Sequence, residues 1–219
     1  MKYYKAYEER YKKIHEKGYS WSSNKPTPIV LDTIKELNID KKDKILELGC
    51  GEGRDAKAVF EAGYNLLATD ISLEAINYCK KVMPEHADKF MTLDCLNDKN
   101  NDTYRFIFAV AVIHMLVLDE DRNKFYKFVC KHLTNDGFAL ICSMGDGETE
   151  FKTDINSAFE LQKRKHVSGE VEVAATSCRM VSFKTLEMET EKAHLNIIKK
   201  GITESLPDFN SLMYVLVTK

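Results

Sequence analysis

The chain has 219 residues, 44% hydrophobic and 30% charged, with ten Gly and four Pro. That length suffices for one large domain burying about 70% of its unfolded surface, and the composition excludes collagen-like, coiled-coil and largely disordered chains. With 32 Lys and Arg against 34 Asp and Glu the net charge is −2, so there is no broad basic field and no nucleic-acid partner is expected.

The six cysteines, Cys50, Cys79, Cys95, Cys130, Cys142 and Cys178, form no C-x-x-C pair and have no His at zinc-ligand spacing. They read as reduced thiols, and no metal site is expected. No apolar run approaches the roughly 20 residues that span a bilayer, so no membrane partner is expected and a cytoplasmic location is.

In chain order, residues 1–28 form an aromatic N-terminal segment. Tyr4, Tyr7, Tyr11 and Ile14 stand at helical spacing, followed by Tyr19 and Trp21 in a Gly- and Ser-containing loop. Such a stripe either packs on the core or forms a lid over a ligand; Tyr19 and Trp21 are then candidate substrate contacts. Pro26-Thr27-Pro28 opens a helix through Val30, Ile34 and Leu37.

Residues 29–219 read as a single domain. Short apolar runs at Lys44 to Leu48, Asn65 to Thr69, Phe90 to Leu93, Tyr104 to Val110 and Phe138 to Ser143 alternate with amphipathic stretches, which is the signature of a doubly wound parallel sheet. Predicted crossover helices follow Gly53 (Ala56, Val59, Phe60) and the acidic start Asp119-Glu120-Asp121 (Phe125, Phe128, Val129). From about 144 to 183 the alternation breaks, as an insertion with one β-like run from Val171 to Val181. A helix near Leu186 to His194 and two strands, Leu195 to Thr203 and Leu212 to Thr218, complete the pattern; the last two are spaced to pair antiparallel.

The informative segment is Ile45-Leu46-Glu47-Leu48-Gly49-Cys50-Gly51-Glu52-Gly53-Arg54-Asp55-Ala56, an apolar strand ending in three alternating glycines and running into a helix. Glycines there permit a tight turn and let a ligand lie against backbone whose helix-start N–H groups are unpaired. The dinucleotide fingerprint G-x-G-x-x-G is not met, because Arg54 stands where its third glycine belongs.

The G-x-G-x-G turn resembles motif I of the class I S-adenosylmethionine-dependent methyltransferases. Asp70, closing the second run 21 residues after Gly49, and Asp94-Cys95, after the third, match that family in order and spacing. The resemblance implies a Rossmann-like α/β fold, a doubly wound seven-stranded mostly parallel sheet with an antiparallel C-terminal strand. It implies S-adenosylmethionine as cofactor and S-adenosylhomocysteine as product. Glu47, Gly49, Cys50, Gly51 and Gly53 would line the cofactor, with Val110 at the end of the fourth strand. Asp70 would hold the ribose and Ile71 cover the adenine, while the Asp94 side chain and the Cys95 backbone N–H would meet its polar edge. Arg105 after Tyr104 departs from the acidic residue often found there.

Methyl transfer is an in-line displacement that depends on alignment. His114, after the fourth strand, reads either as a catalytic base or as a packed core histidine; Arg54 either holds an anionic substrate or pairs with Asp55 or Glu52. No Asn-Pro-Pro-Tyr or Asp-Pro-Pro-Tyr segment follows the fourth strand, so nucleic-acid adenine methylation is not expected; the Gly49 to Arg54 turn, the Asp94 strand and the His114 segment together look most like small-molecule methyltransferases of the tellurite-resistance and thiopurine or thiol type. A non-catalytic S-adenosylmethionine-binding module and a nucleotide-dependent oxidoreductase are the alternatives, and the chain is expected to be a monomer or homodimer.

Overall fold

The computed structural model describes residues 2–23, 25–97, 101–166, 168–203 and 211–219; Met1 and Asn24 of the expected N-terminal segment lie outside them. After a 3-10 turn at Tyr3–Lys5 the chain forms α1 (Ala6–His15) and α2 (Pro28–Glu36), with Pro28 in the first turn, where its missing N–H costs nothing. The strand–helix alternation then runs β1 (Ile45–Leu48), α3 (Arg54–Glu61), β2 (Leu66–Asp70), α4 (Leu73–Val82), β3 (Phe90–Thr92), β4 (Tyr104–Val110), α5 (Asp119–His132) and β5 (Leu133–Met144).

Four short strands follow: β6 (Phe151–Lys152), β7 (Leu161–His166), β8 (Gly169–Ala174) and β9 (Arg179–Met180). They pair among themselves, β6 with β9 and β7 with β8, both antiparallel. The chain closes with α6 (Phe183–Lys192), β10 (Asn196–Thr203) and β11 (Leu212–Thr218).

Seven strands form one sheet in the order β10-β11-β5-β4-β1-β2-β3. β1 to β5 are parallel; β11 runs antiparallel to both β5 and β10. This is the Rossmann-like arrangement expected, with a single reversed strand. Because β1 lies between β2 and β4, the strand order changes direction there, and its carboxyl end is where open α/β sheets take ligands.

Both faces of the sheet are covered, which explains why the strands read as continuous apolar runs. On β4, Phe106, Phe108 and Val110 join the cluster under α2, α3 and α4, while Ile107 and Ala109 join the cluster under α5 and α6. Tyr104 sits in the second cluster against this alternation, matching a register irregularity between Tyr104 and Phe106.

Three expectations need correction. The run from Val171 to Val181 is two strands, because Thr176 takes a left-handed φ of +62° between β8 and β9. β7 occupies the polar stretch before it, whose alternation is invisible because most of its residues are exposed. α4 is an unanticipated helix, capped by the Ser72 hydroxyl accepting from the Ala75 N–H at 3.0 Å.

Gly53 opens α3 at φ +80°, and a Cβ there would come within 2.5 Å of Met83 Cε and 3.1 Å of Cys79 Sγ. Gly53→Ala is therefore expected to destabilise the fold by about 1 to 3 kcal/mol through backbone strain and overpacking against α4; urea unfolding measures it, and an unchanged midpoint would refute the packing role.

Candidate functional site

The site grows from the bend after β1. The amides of Gly49 and Cys50 both donate to the Thr69 carbonyl at 2.8 Å, and the Gly51 amide donates to Asp70 Oδ2 at 2.8 Å. The backbone turns through left-handed angles to do this, +76° at Gly49 and +53° at Gly51. A Cβ on Gly49 would approach Val112 Cγ2 to 2.3 Å, so the residues after β4 close directly onto the bend.

Above the bend lies a cleft of about 660 Å³, lined on one side by Glu47, the glycine bend, Asp70 and Val110. A smaller pocket of about 60 Å³ adjoins it, bordered by Asp70, Ile71, Asp94 and Cys95; the two share Tyr4, Gly49, Asp70, Ile71 and Met115. Asp70 and Asp94 thus face one edge of the sheet.

The buried carboxylates differ in how fully they are engaged. Glu52 accepts from the Trp21 N–H, the Ser22 N–H and the Ser22 hydroxyl, each at 2.7 Å, and meets His15 Nε2 at 2.8 Å. Asp55 accepts from the Thr27 N–H at 2.6 Å and the Thr27 hydroxyl at 3.0 Å, and pairs with Arg54 at 3.0 Å. Asp70 Oδ1 accepts from the Ser72 N–H at 2.8 Å. Burial raises the pKa of Asp70 and these backbone donors oppose the rise. Glu47 is different: only 2% exposed, its Oε2 finds no hydrogen-bond partner. Burial, then the neighbouring charge of Asp55, pushes its pKa well above the ordinary carboxylate range.

His114 is buried in the 3-10 turn Ile113–Met115 and borders the cleft. Arg122, fully buried on α5, holds that turn by donating to the Ile113 carbonyl at 2.8 Å while gripping Glu189 with two bonds of 2.6 and 2.7 Å. Burial, reinforced by the Arg122 charge, lowers the His114 pKa to about 4.

The N-terminal segment lies across the cleft as a roof. Lys2 donates to Asp94 Oδ2 at 3.0 Å, and the Tyr3 hydroxyl donates to Asp121 at 2.8 Å. The Tyr11 hydroxyl stands 2.8 Å from where a Gly51 Cβ would project. His15 bridges Glu52 and Glu74 through its two ring nitrogens. Arg10, 4% exposed, donates through Nη2 to the carbonyls of Ala174 and Ala175 at 2.6 and 3.0 Å.

Of the residues singled out in the sequence, Glu47, Gly49, Cys50, Gly51, Asp70, Ile71, Val110, Arg54, Trp21 and His114 all line the cleft. Asp94 and Cys95 line the adjoining pocket. Two do not: Gly53 faces Met83 and Cys79 beneath α3, and Tyr19 is 46% exposed on the outer surface, edge-on to His166. Arg54 takes the pairing option, to Asp55. Burial and the neighbouring Cys79 thiol raise the Cys50 pKa well above the ordinary thiol range, so it fills the turn as an uncharged thiol. Among the described residues, no group of three or more His, Cys, Asp or Glu could hold a metal ion, and no helix is long and apolar enough to cross a membrane.

Sequence reasoning missed Arg10, the β7 cations and Ala111. Arg10 had a signal: it shares the helical face of Tyr7, Tyr11 and Ile14, where a charge is out of place. Ala111, at φ +60° just past Val110, had none.

A family model described as a methyltransferase domain matches residues 46–139. No curated protein matches the chain. Among solved structures, an S-adenosylmethionine-dependent methyltransferase from Clostridium acetobutylicum is 17% identical with TM-score 0.67, covering 86% of this chain and 88% of that one. The CcbJ methyltransferase from Streptomyces caelestis is 11% identical with TM-score 0.69, covering 100% and 98%. The glycopeptide N-methyltransferase MtfA in complex with S-adenosylmethionine is 15% identical with TM-score 0.62, covering 85% of each chain. The fold is that of these enzymes, and residues 46–139 match the methyltransferase-domain model.

The depressed pKa of His114 has a definite sign. Its ordinary value is 6.5 and its folded value about 4, so between them the unfolded chain binds more protons, and stability is full above that window and falls as pH drops through it. His114 alone should remove about 2 kcal/mol between about pH 7.5 and about pH 5. His114→Asn is expected to flatten that part of the profile in urea titrations at the two pH values.

Proposed function

We propose that the chain transfers a methyl group from S-adenosylmethionine to a small-molecule acceptor bound in the roofed cleft. The observation that carries the reading is the unsatisfied Glu47 Oε2, buried beside a glycine bend and on the same rim as Asp70 and Asp94. An uncompensated buried carboxylate is the complement of a cation. S-adenosylmethionine supplies an ammonium and a sulfonium whose methyl is already activated.

Glu47 would face the ammonium end, its raised pKa falling as the cation arrives. Asp70, whose oxygens retain acceptor capacity beyond their backbone donors, suits a pair of ribose hydroxyls. Asp94 and Ile71 border a pocket of the right chemistry for an adenine edge and face, provided Lys2 and Tyr4, which now contact Asp94, yield to it. The roof of residues 2–23 would then act as a lid, excluding water from the methyl group.

His114 borders the cleft four residues past the end of β4, and at pH 7 its imidazole is neutral. With a pKa of about 4 it is a weak proton acceptor, better suited to orienting the acceptor by a hydrogen bond than to deprotonating it. This favours an acceptor whose nucleophilic lone pair is available without a strong base, such as a thiolate or an unprotonated heteroaromatic nitrogen. The likeness to thiopurine- and tellurite-type enzymes rests on the sequence segment alone.

Calorimetric titration with S-adenosylhomocysteine tests the reading directly, and a radiolabelled methyl-transfer screen over thiols, amines, phenols and oxyanions tests the acceptor class. Asp70→Ala should weaken S-adenosylhomocysteine binding by about 1 to 3 kcal/mol, the scale of lost charge-assisted hydrogen bonds. Unchanged affinity in a variant that unfolds cooperatively would remove Asp70 from the cofactor site.

A further inference from the structure

The roof places an uncompensated cation in the cleft. The Arg10 guanidinium is stacked between two rings, 4.7 Å from the Tyr7 centroid and 4.6 Å from that of Trp21. Its hydrogen bonds, to the carbonyls of Ala174 and Ala175 and to the Thr176 hydroxyl at 3.1 Å, all come from Nη2; the buried Nε has no partner. Among the described residues, no carboxylate lies within ion-pairing distance of it. Carbonyl and ring contacts stabilise a guanidinium but do not neutralise it.

A second cation approaches it. Arg164, on the exposed strand β7, also borders the cleft, and its like charge, after burial itself, depresses the Arg10 pKa. Two arginines facing one cavity, one of them buried without a counter-ion, are mutually unfavourable until an anion joins them.

We propose that Arg10 and Arg164 form an oxyanion subsite for the methyl acceptor, which therefore carries a carboxylate or phosphate group. The inference rests on the methyltransferase reading above and narrows its acceptor. The side of the cleft matters. Arg10 is anchored to residues 174–176 of the segment between β5 and α6, not to the β1 bend beside which the cofactor would lie. The acceptor's anion, rather than the cofactor's carboxylate, is the group that Arg10 faces. Tyr7 and Trp21 pack on the guanidinium where it borders the cleft.

The test is titration of the wild-type protein saturated with S-adenosylhomocysteine, using benzoate and phenyl phosphate as probes and benzamide as the uncharged control. At least one anion should bind, its affinity should fall about tenfold or more in Arg10→Gln, and benzamide should not distinguish the two proteins. Arg164→Gln, which leaves every roof hydrogen bond in place, should weaken the anion about threefold and reduce its salt dependence. Absence of anion binding, or equal affinity in the wild type and in Arg164→Gln, overturns the subsite.

The S-adenosylhomocysteine titration separates the failures. If the wild type does not bind it, the methyltransferase reading fails. If it binds and the anions do not, only the subsite fails. If Arg10→Gln loses S-adenosylhomocysteine affinity while unfolding cooperatively, Arg10 belongs to the cofactor's carboxylate and the acceptor assignment is overturned.

Discussion

At the end of β1 three successive amides are committed to the end of β2: those of Gly49 and Cys50 to the Thr69 carbonyl and that of Gly51 to the Asp70 carboxylate. This grip fixes the bend, and left-handed backbone angles are the condition for making it. Everything functional is referenced to it. It aims α3, sets Glu47 and Asp70 on one rim, and leaves a floor without side chains over which Tyr11 and the roof close. The residues after β4 are placed by the same bend, through Val112 against Gly49, and His114 follows two residues later.

Hydrogen-bond accounting divides the buried acids by task. Glu52 and Asp55 are consumed in holding His15, Trp21, Ser22 and Thr27 to the bend and to α3. Asp70 is partly consumed, and Glu47 keeps an oxygen unused. The same accounting divides the cations: Arg122 is fully committed to Glu189 and the turn bearing His114, whereas Arg10 has contacts but no counter-charge. An unmatched polar atom in a buried place is costly.

How much of this could be read from the sequence depended on burial. β1, β4 and the second half of β5 were legible because both faces are covered and their residues form apolar runs; the start of β5, Thr134 to Asp136, is polar and part-exposed and was not. β7 was not, since Lys163, Arg164 and Lys165 are exposed and carry no alternation. α4 was missed because only Ala75, Ile76 and Cys79 on it are buried, a narrow face of mostly small residues, while Leu73 is exposed. The glycine bend and the two aspartates stood out because their spacing is set by strand and crossover lengths. Ala111 was hidden because only a backbone angle distinguishes it; Arg10's place on the apolar face of its helix marked it as unusual, but its partners, 164 residues away, could not be read locally.

The roof also bears on the order in which the molecule assembles. Tyr3 meets Asp121 across 118 residues and Arg10 meets Ala174 across 164, far beyond the reach of the strand–helix units beneath them. Closing loops of that length costs entropy that only a formed sheet can return. The cavity's roof therefore depends on the β7–β8 hairpin, whose end supplies the carbonyls on which Arg10 lands.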